Sequence, residues 1–268
     1  AMTDGAVKTL LTMGDRELID RAVPRLTSRD PRTAWTSGQW MTERPGGSDV
    51  GRSETVARHE GGVWRLHGTK WFTSAITSQM ALTLARPEGN GSGGKGLAMF
   101  YVEVRDEHDR LNGLRVLRLK DKLGDTSNAS GEVEFENTVG WLIGEPHRGV
   151  RVIMEMVAAT RLDCVAGATG WLRHGTSQAA WHVAHRHAFG RRLAEQPLMR
   201  NVIADLAVET EAAIALALRL AATVDRPDDA HEQALRRVLT PIAKYWVCKR
   251  APAHAAEALE CLGGNGYV

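Results

Sequence analysis

The chain has 268 residues, of which 43% are hydrophobic and 25% are charged, which is ordinary for a globular protein and sufficient to bury a sizeable core. Its formal net charge of +2 is too small to indicate a nucleic-acid-binding protein, and no apolar run is long enough to span a membrane. The three cysteines, Cys164, Cys248 and Cys261, are odd in number and far apart, which fits reduced thiols in a cytoplasmic protein without a disulfide framework.

The first segment, residues 1–37, is predicted to be the end of an N-terminal helical domain. Apolar residues recur at roughly helical spacing through residues 3–28, at Leu10, Leu11, Leu18, Ile19, Val23 and Leu26. The carboxylate of Asp15 is suited to a helix N-cap. Because this segment is too short to form a domain alone, we expect the remainder of the domain to precede it.

The second segment, residues 38–143, is predicted to be a β-domain. Short β-prone runs separated by turn residues predict strands at 55–59, 63–66, 80–85, 97–104, 114–119 and 132–136. Val133 and Phe135 alternate with glutamates, as in a half-buried antiparallel strand. The glycine-rich stretch 89–96 is followed by a strand and not by a helix, so it is predicted to be a mobile hairpin and not a phosphate-binding loop.

The third segment, residues 144–268, is predicted to be an incomplete C-terminal helical domain. Long amphipathic patterns predict helices near 149–188, 197–224 and 229–262, which together imply a bundle. Pro197 suits the first turn of the second helix. Pro241 and Pro252 are expected to kink or interrupt the third helix.

Two stretches of the β-domain suit a flat heteroaromatic ligand. In the first, MTERPGGSDV at 41–50, a proline and two glycines force a tight loop that is flanked by the hydroxyls of Thr42 and Ser48. In the second, Trp71 and Thr73 are two residues apart on an expected strand, so the indole ring and the hydroxyl are predicted to face the same way. An aromatic platform with hydrogen-bonding groups at its rim can hold a planar ring system.

Both stretches resemble the flavin-binding signature of acyl-CoA dehydrogenases, and the order of helices, β-domain and helical bundle is that of a subunit of this family. The resemblance implies an α+β fold and an FAD cofactor. The residues that it assigns to FAD in the β-domain are Met41, Thr42, Ser48, Trp71 and Thr73. Ser48 is also assigned to the substrate. Glu43, within the loop, is predicted to have a structural hydrogen-bonding or ion-pairing role and not a catalytic one.

The sequence RHAFG at 186–190 has two interpretations. The first is a solvated basic helix end, whose positive charge is favourable to the helix dipole. The second follows from its similarity to the family's R-x-x-F-G motif, which reaches the FAD of a neighbouring subunit. In that interpretation Arg186 binds the pyrophosphate with paired, charge-assisted bonds, and Phe189 and Gln196 are assigned to the same cofactor.

Gly263 and Gly264 are predicted to form a glycine turn at a helix C-cap. The resemblance also makes this turn the loop beside the ribityl-adenosine part of FAD. In the family the catalytic Glu follows this loop, so the expected base lies beyond Val268 and no catalytic residue is assigned. Some relatives carry the base on the long helix, where this chain has Thr160, which cannot abstract a proton at neutral pH.

Arg161 matches a family arginine at the acyl-CoA pocket. Ala158 replaces the acidic partner of that arginine, so a role in fixing the helix to its neighbours is an alternative. His182, His185 and His187 stand together on one predicted helix, without a carboxylate or cysteine at ligand spacing. No metal site is therefore predicted.

Three further stretches, LKDKLG at 119–124, SNAS at 127–130 and EQPLMR at 195–200, are similar to the bacterial adaptive (alkylation) response branch of the family. Members of this branch are homotetrameric FAD proteins with weak dehydrogenase activity. They have an added C-terminal helical region implicated in binding double-stranded DNA, which is expected beyond Val268. Two hypotheses follow: α,β-dehydrogenation of an acyl-CoA thioester, or an alkylation-response flavoprotein that binds DNA with little or no such activity.

Overall fold

A computed structural model describes residues 1–268, which form two compact units, Ala1–Thr160 and Arg161–Val268. The first unit contains two helices, a seven-stranded sheet and the start of a third, longer helix. The second is built almost wholly of helices. The fold is therefore of the α+β class, as the sequence predicts. The change from strands to long helices comes after Ile143, where the last strand of the sheet ends.

Two helices form the predicted helical segment at the start of the chain. They are α1 (Met2–Met13) and α2 (Arg16–Leu26), separated by Gly14 and Asp15. The carboxylate of Asp15 accepts a hydrogen bond from the main-chain N–H of Leu18 at 2.9 Å. Because this bond satisfies a donor that the first helical turn leaves free, it confirms Asp15 as an N-cap.

The sheet of the first unit is closed on itself. Its strands are β1 (Ser37–Trp40), β2 (Val56–Glu60), β3 (Val63–Ser74), β4 (Met80–Pro87), β5 (Ala98–Glu103), β6 (Leu114–Leu119) and β7 (Ser130–Ile143). The pairing order β4-β2-β3-β7-β5 returns to β4, so these strands form a barrel, while β1 joins β4 and β6 joins β7. The β1–β4 and β2–β4 pairs are parallel and the other pairs are antiparallel.

The predicted strands are confirmed near their predicted starts, but β3 and β7 extend well past their predicted ends, and β1 is not predicted at all. Residues that favour turns lie inside the extensions. Asn137 in β7 has a φ of 61° and stands where the β3–β7 pairing is irregular. Such a residue forms a bulge when the neighbouring strand holds it, whereas the sequence alone indicates a turn. The hairpin at 89–96 is confirmed, since it joins the antiparallel strands β4 and β5.

Strand β4 is buried on both faces and separates two hydrophobic cores. Met80, Leu82 and Leu84 pack with the apolar residues of α1 and α2. Ala81 and Ala85 face the barrel interior instead. A strand that is buried on both sides reads as one continuous apolar run, which explains why this strand is predictable from sequence.

Three long helices dominate the rest of the chain: α3 (Gly149–His185), α4 (Pro197–Ala222) and α5 (Ala230–Glu260). Pro197 is the first residue of α4, as predicted. The boundary between the two compact units falls within α3. In the second unit, the three helices share two clusters of buried apolar side chains, as a bundle requires.

The predicted end of the first long helix is wrong in detail, and the third helix is not interrupted at its prolines, where a kink stays a prediction. The first long helix ends at His185 and not at 188, because the next residues form a hairpin of β8 (His187–Ala188) and β9 (Arg191–Arg192). Helix α5 continues through Pro241 and Pro252 without interruption. Buried residues lie on both sides of each proline, so tertiary packing of this helix outweighs the hydrogen bond that each proline removes.

Candidate functional site

The two stretches predicted to hold a planar ligand lie side by side. The loop after β1 runs against strand β3, and the main-chain N–H of Trp71 donates to the carbonyl of Thr42 at 2.8 Å. A Cβ added to Gly47 would stand 3.0 Å from the Thr42 hydroxyl oxygen, so the loop passes closely over this side chain and favours glycine there. The structure therefore brings Thr42 and Trp71 together.

A β-bulge changes the direction of the side chains on β3. Lys70 pairs with Val133 and Thr73 pairs with Gly131, so three steps along β3 correspond to two along β7. The extra residue breaks the alternation of faces between Trp71 and Thr73. The prediction that these two side chains face the same way is therefore wrong.

Thr73 and Trp71 accordingly have different surroundings. Thr73 is fully buried, and its hydroxyl donates to the Gly131 carbonyl at 2.8 Å. Trp71 is partly exposed, and the ammonium nitrogen of Lys120 lies 3.5 Å from the centre of one of its rings. The indole is thus available to a ligand, while the Thr73 hydroxyl is held within the barrel wall.

Three cations surround Trp71, a feature that the sequence analysis misses. Besides Lys120, the guanidinium carbons of Arg44 and Arg118 lie 5.1 Å and 5.7 Å from the ring centre. The Glu132 carboxylate accepts hydrogen bonds from Lys120 and Arg118 at 2.6 Å each. The hydrogen bond from Lys120 is the main reason that the pKa of the Glu132 carboxyl lies below its ordinary value. Cation–π contacts of this kind fix the position of an indole ring.

A buried ion pair is formed by the residues next in sequence to Thr42 and Trp71. The Lys70 ammonium is fully buried and binds the Glu43 carboxylate at 2.6 Å and the Leu84 carbonyl at 2.7 Å. Glu43 also accepts hydrogen bonds from the main-chain N–H groups of Glu54 and Thr55 and from the Thr55 hydroxyl. The predicted ion-pairing role of Glu43 is therefore confirmed, but its partner is not evident from the sequence.

The ionisation of this pair follows from its surroundings. Burial raises the pKa of the Glu43 carboxyl, but the charge of Lys70 and the hydrogen bonds from Lys70 and Thr55 outweigh burial and leave the pKa below its ordinary value. Burial lowers the pKa of the Lys70 ammonium, and the Glu43 charge opposes that change. Glu43 is an ionised, fully bonded carboxylate and is not available as a general base.

Four other residues named in the sequence analysis have separate surroundings. Met41 is partly buried against the core shared with α1 and α2. Ser48 is exposed and its hydroxyl makes no hydrogen bond. The Thr160 hydroxyl donates to the Val157 carbonyl at 3.1 Å, one turn earlier in α3. Arg161, the first residue of the second unit, is partly buried and forms no ion pair.

In the second unit, a cavity of about 360 Å³ joins three of the predicted cofactor residues. Arg186 lines it from the end of α3, and Gly263 and Gly264 line it from the turn after α5. Gly263 has a φ of 61°, which suits glycine. Arg186 forms no ion pair, so its guanidinium is free to bind an anion.

The β8–β9 hairpin next to this cavity presents an aromatic tip. Phe189 is 95% exposed and has a φ of 54°, a left-handed conformation that is costly for a phenylalanine. Gly190, with a φ of 78°, completes the turn. The Gln196 amide donates to the Ala188 carbonyl at 3.3 Å and so fixes the base of the hairpin. Neither the exposure nor the strain of Phe189 is explained by packing within this unit.

No group of three or more His, Cys, Asp or Glu side chains has the arrangement of a metal site. The Nδ1 atoms of His185 and His187 face main-chain carbonyls, at 2.7 Å from Trp181 and 3.1 Å from His185 respectively. No helix combines the length and the apolar character that crossing a membrane requires.

Comparison with known proteins identifies the family. Residues 38–138 match the model of the acyl-CoA dehydrogenase middle domain, and residues 147–268 match that of the acyl-CoA dehydrogenase C-terminal domain. The chain belongs to the acyl-CoA dehydrogenase family. Members of this family are FAD-dependent flavoproteins, and FAD is accordingly the cofactor, as the sequence predicts.

Two curated relatives match nearly the whole chain. The chain is 40% identical to acyl-CoA dehydrogenase family member 11 of Caenorhabditis elegans, over 100% of the chain and 46% of the relative. It is 42% identical to the putative acyl-CoA dehydrogenase AidB of Escherichia coli (strain K12), over 99% of the chain and 50% of the relative. The chain therefore spans about half the length of these relatives. The match to AidB supports the predicted branch of the family.

Solved structures agree with this assignment. The structure of Caenorhabditis elegans ACDH-11 in complex with C11-CoA superimposes with a TM-score of 0.95 and 38% identity, over 100% of this chain and 47% of that chain. The glutaryl-CoA complex of glutaryl-coenzyme A dehydrogenase superimposes with a TM-score of 0.83 and 28% identity, over 98% and 64% of the two chains.

Proposed function

We propose that this chain is the FAD-binding part of an acyl-CoA dehydrogenase-type oxidoreductase. The reaction is the α,β-dehydrogenation of an acyl-CoA thioester, in which bound FAD supplies the hydride acceptor. The observation that carries this proposal is the hydrogen bond between the Trp71 N–H and the Thr42 carbonyl, because it joins the two segments that carry the flavin signature.

The flavin ring is assigned to the loop and the bulge of the first unit. Thr42 offers a hydroxyl, and Trp71 offers an aromatic face whose position is fixed by Lys120. Met41 supports the loop from the core side. Thr73 is proposed to support this site from within the barrel wall, where its buried hydroxyl donates to the Gly131 carbonyl.

The pyrophosphate and adenosine parts of FAD are assigned to the second unit. Arg186 has no carboxylate partner, and the adjacent Gly263 and Gly264 let a ligand approach the main chain closely. The exposed Phe189 and the hairpin-bound Gln196 complete this set. Since the family's R-x-x-F-G motif serves the FAD of a neighbouring subunit, we assign these residues to a partner's cofactor within a homotetramer.

No residue of this chain is assigned as the general base. The Glu43 carboxylate is bound by Lys70, and the Thr160 hydroxyl is bound to a helix carbonyl. A base that removes the proton next to the thioester carbonyl must be within hydrogen-bond reach of it and have a matched pKa. The family resemblance places such a Glu beyond Val268.

The substrate is proposed to be an acyl-CoA thioester. The complexes of ACDH-11 with C11-CoA and of glutaryl-coenzyme A dehydrogenase with glutaryl-CoA support this class. Ser48, which is exposed with a free hydroxyl, and Arg161, which has no ion pair, are the proposed contacts. The three free cysteines support a cytoplasmic location.

The proposal is tested with the full-length protein. We expect purified protein to be yellow and to release non-covalent FAD on denaturation. Anaerobic mixing with straight and branched acyl-CoAs of several lengths, followed by the flavin absorbance, measures dehydrogenation directly. Colourless protein that takes up no FAD on refolding refutes the cofactor assignment, and a flavin that no acyl-CoA bleaches refutes the reaction.

A second function is proposed because of the match to AidB and because Ala158 replaces the acidic residue usual at the acyl-CoA pocket. In this case the protein is an alkylation-response flavoprotein that binds double-stranded DNA, through regions outside this chain. Titration of labelled duplex with full-length protein at several salt concentrations tests it. Phosphate-driven binding gives a log–log slope of about −0.9 per phosphate contacted. A flat salt dependence, or no binding, refutes it.

A further inference from the structure

The stability of the barrel does not by itself account for the buried ion pair of Glu43 and Lys70. Lys70 lies opposite Val133, a member of the barrel core, so its ammonium occupies a place where the neighbouring strand has an apolar side chain. Taking two charges out of water is costly, and replacing a buried ion pair by apolar residues of similar volume is often neutral or stabilising. A pair retained at such a place calls for another role.

The pair stands next to the two residues that hold the proposed flavin ring. Glu43 follows Thr42 in the loop, and Lys70 precedes Trp71 in β3. The side-chain bond between Glu43 and Lys70 at 2.6 Å and the main-chain bond between Trp71 and Thr42 at 2.8 Å therefore lie side by side. Together they form a clasp between loop and strand.

Glu43 also holds the rest of the loop from within. Its carboxylate accepts the N–H of Glu54 at 2.6 Å and the hydroxyl of Thr55 at 2.6 Å, and its carbonyl accepts the N–H of Gly46 at 3.1 Å. Both ends of the segment that carries Ser48 are therefore held by hydrogen bonds to Glu43. A displacement of Glu43 would move the whole loop.

We propose that Glu43 and Lys70 are positioning residues of the flavin site. The pair fixes the loop at 42–55 against the bulge of β3, and so sets the distance between the Thr42 hydroxyl and the Trp71 ring. The proposal rests on the assigned flavin function for its effect on FAD. Its effect on the loop is independent of that function, which allows the two to be tested separately.

The experiment compares four variants of the full-length protein. Glu43→Gln and Lys70→Met each break the pair, and the double variant Glu43→Leu with Lys70→Met replaces it by apolar side chains. Glu103→Gln is the matched control, because Glu103 is also a buried carboxylate of the first unit. It is bound by Arg21 at 2.5 Å and 2.6 Å and by the Tyr101 hydroxyl at 2.7 Å, and neither partner lies in the loop.

The first measurement is amide hydrogen exchange in flavin-free protein. We expect the amides of Glu54, Thr55 and Trp71 to exchange about tenfold faster or more in both single variants, as follows from losing a hydrogen bond to a charged group. The Glu103→Gln control should leave these amides unchanged. Unchanged exchange in Glu43→Gln would overturn the proposal, whatever the fate of FAD.

The second measurement is the FAD dissociation constant together with unfolding by denaturant. We expect the apolar double variant to regain the stability that the single variants lose, yet to bind FAD about tenfold more weakly than the native protein. A purely structural pair would lose and regain both properties together. If the double variant binds FAD as tightly as the native protein, the positioning role is refuted.

Two further variants keep the test decisive if the single variants do not fold. Thr55→Val removes one hydroxyl bond to Glu43 and keeps both charges, while Lys70→Arg keeps the charge and changes the geometry. Faster loop exchange in Thr55→Val supports the clasp, and unchanged exchange refutes it. If even the native protein binds no FAD, the proposed function fails, and the exchange data alone decide the role of the pair.

Discussion

The two units hold their candidate cofactor residues in opposite ways. In the first unit, Trp71 and Thr42 stand beside a fully buried ion pair whose every polar atom is bound, so their positions are fixed before a ligand arrives. In the second unit, Arg186 has no ion-pair partner and Phe189 is 95% exposed with a left-handed main chain.

This difference indicates two kinds of site. A preorganised surface suits a rigid ring system, since no side chain has to be ordered on binding. The exposed arginine and the strained aromatic tip have no such partners within their own unit. The first unit should therefore respond to mutation through its stability as well as through binding, and the second mainly through binding.

The largest expected effect on stability comes from breaking the buried pair in the first unit. Lys70→Met leaves the Glu43 carboxylate buried without its counter-charge, so we expect a loss of about 3–5 kcal/mol in the free energy of unfolding. Urea unfolding measures it. Arg192→Met is the control, because its pairing with Glu195 is solvent-exposed and should matter little. A loss below about 1 kcal/mol would mean that the Lys70–Glu43 pair contributes no more to stability than an exposed salt bridge does.

The next effect should appear in binding and not in stability. Arg186→Ala is expected to weaken FAD binding about tenfold to a hundredfold, as for the loss of a charge-assisted contact, with unfolding nearly unchanged. Arg192→Ala, in the same hairpin region, should bind FAD nearly as tightly as the native protein. Fluorescence titration of FAD into apoprotein measures both. Equal affinities for the two variants would reduce Arg186 to a solvated helix end.

The pH dependence of stability should be shared by both units. The pKa values of Glu43 in the first unit and Glu232 in the second lie below the ordinary value of 4.5. A carboxyl group whose pKa is lower in the folded protein than in the unfolded chain stabilises the fold at pH values above the unfolded pKa. This stabilisation is lost as the pH falls through the pKa of the folded state. We expect stability to fall below about pH 4.5. Glu43→Gln should flatten this fall in urea unfolding curves between about pH 6 and 3, and an unchanged slope would contradict the ionised state of Glu43.

The smallest effect is expected at the hairpin tip. Phe189→Asn places a residue that tolerates a positive φ at 54°, so we expect the free energy of unfolding to rise by up to about 1 kcal/mol. The same change removes the aromatic contact proposed for FAD, so cofactor binding should weaken as stability improves. Thermal unfolding and FAD titration are the two measurements. A variant that gains stability and keeps its full FAD affinity would show that Phe189 has no part in binding.

The sequence by itself determined the features that depend on neighbouring residues. The Asp15 cap, the continuous apolar run of β4 and the start of α4 at Pro197 follow from local chemistry, which acts within a few residues. The loop at 41–50 and the segment around Trp71 could be recognised because the flavin signature is local in sequence.

Only the tertiary structure decided where the side chains point and which distant residues meet. The bulge that turns the side chains of Trp71 and Thr73 in different directions arises from the pairing of β3 with β7. It is not evident from the residues of β3 alone. Lys70 finds Glu43 at a separation of 27 residues, and Lys120 reaches Trp71 from another strand pair. Helix α5 likewise continues through its prolines because packing outweighs local propensity. Such features depend on long-range pairing, whose energy exceeds the preferences that short sequence patterns express.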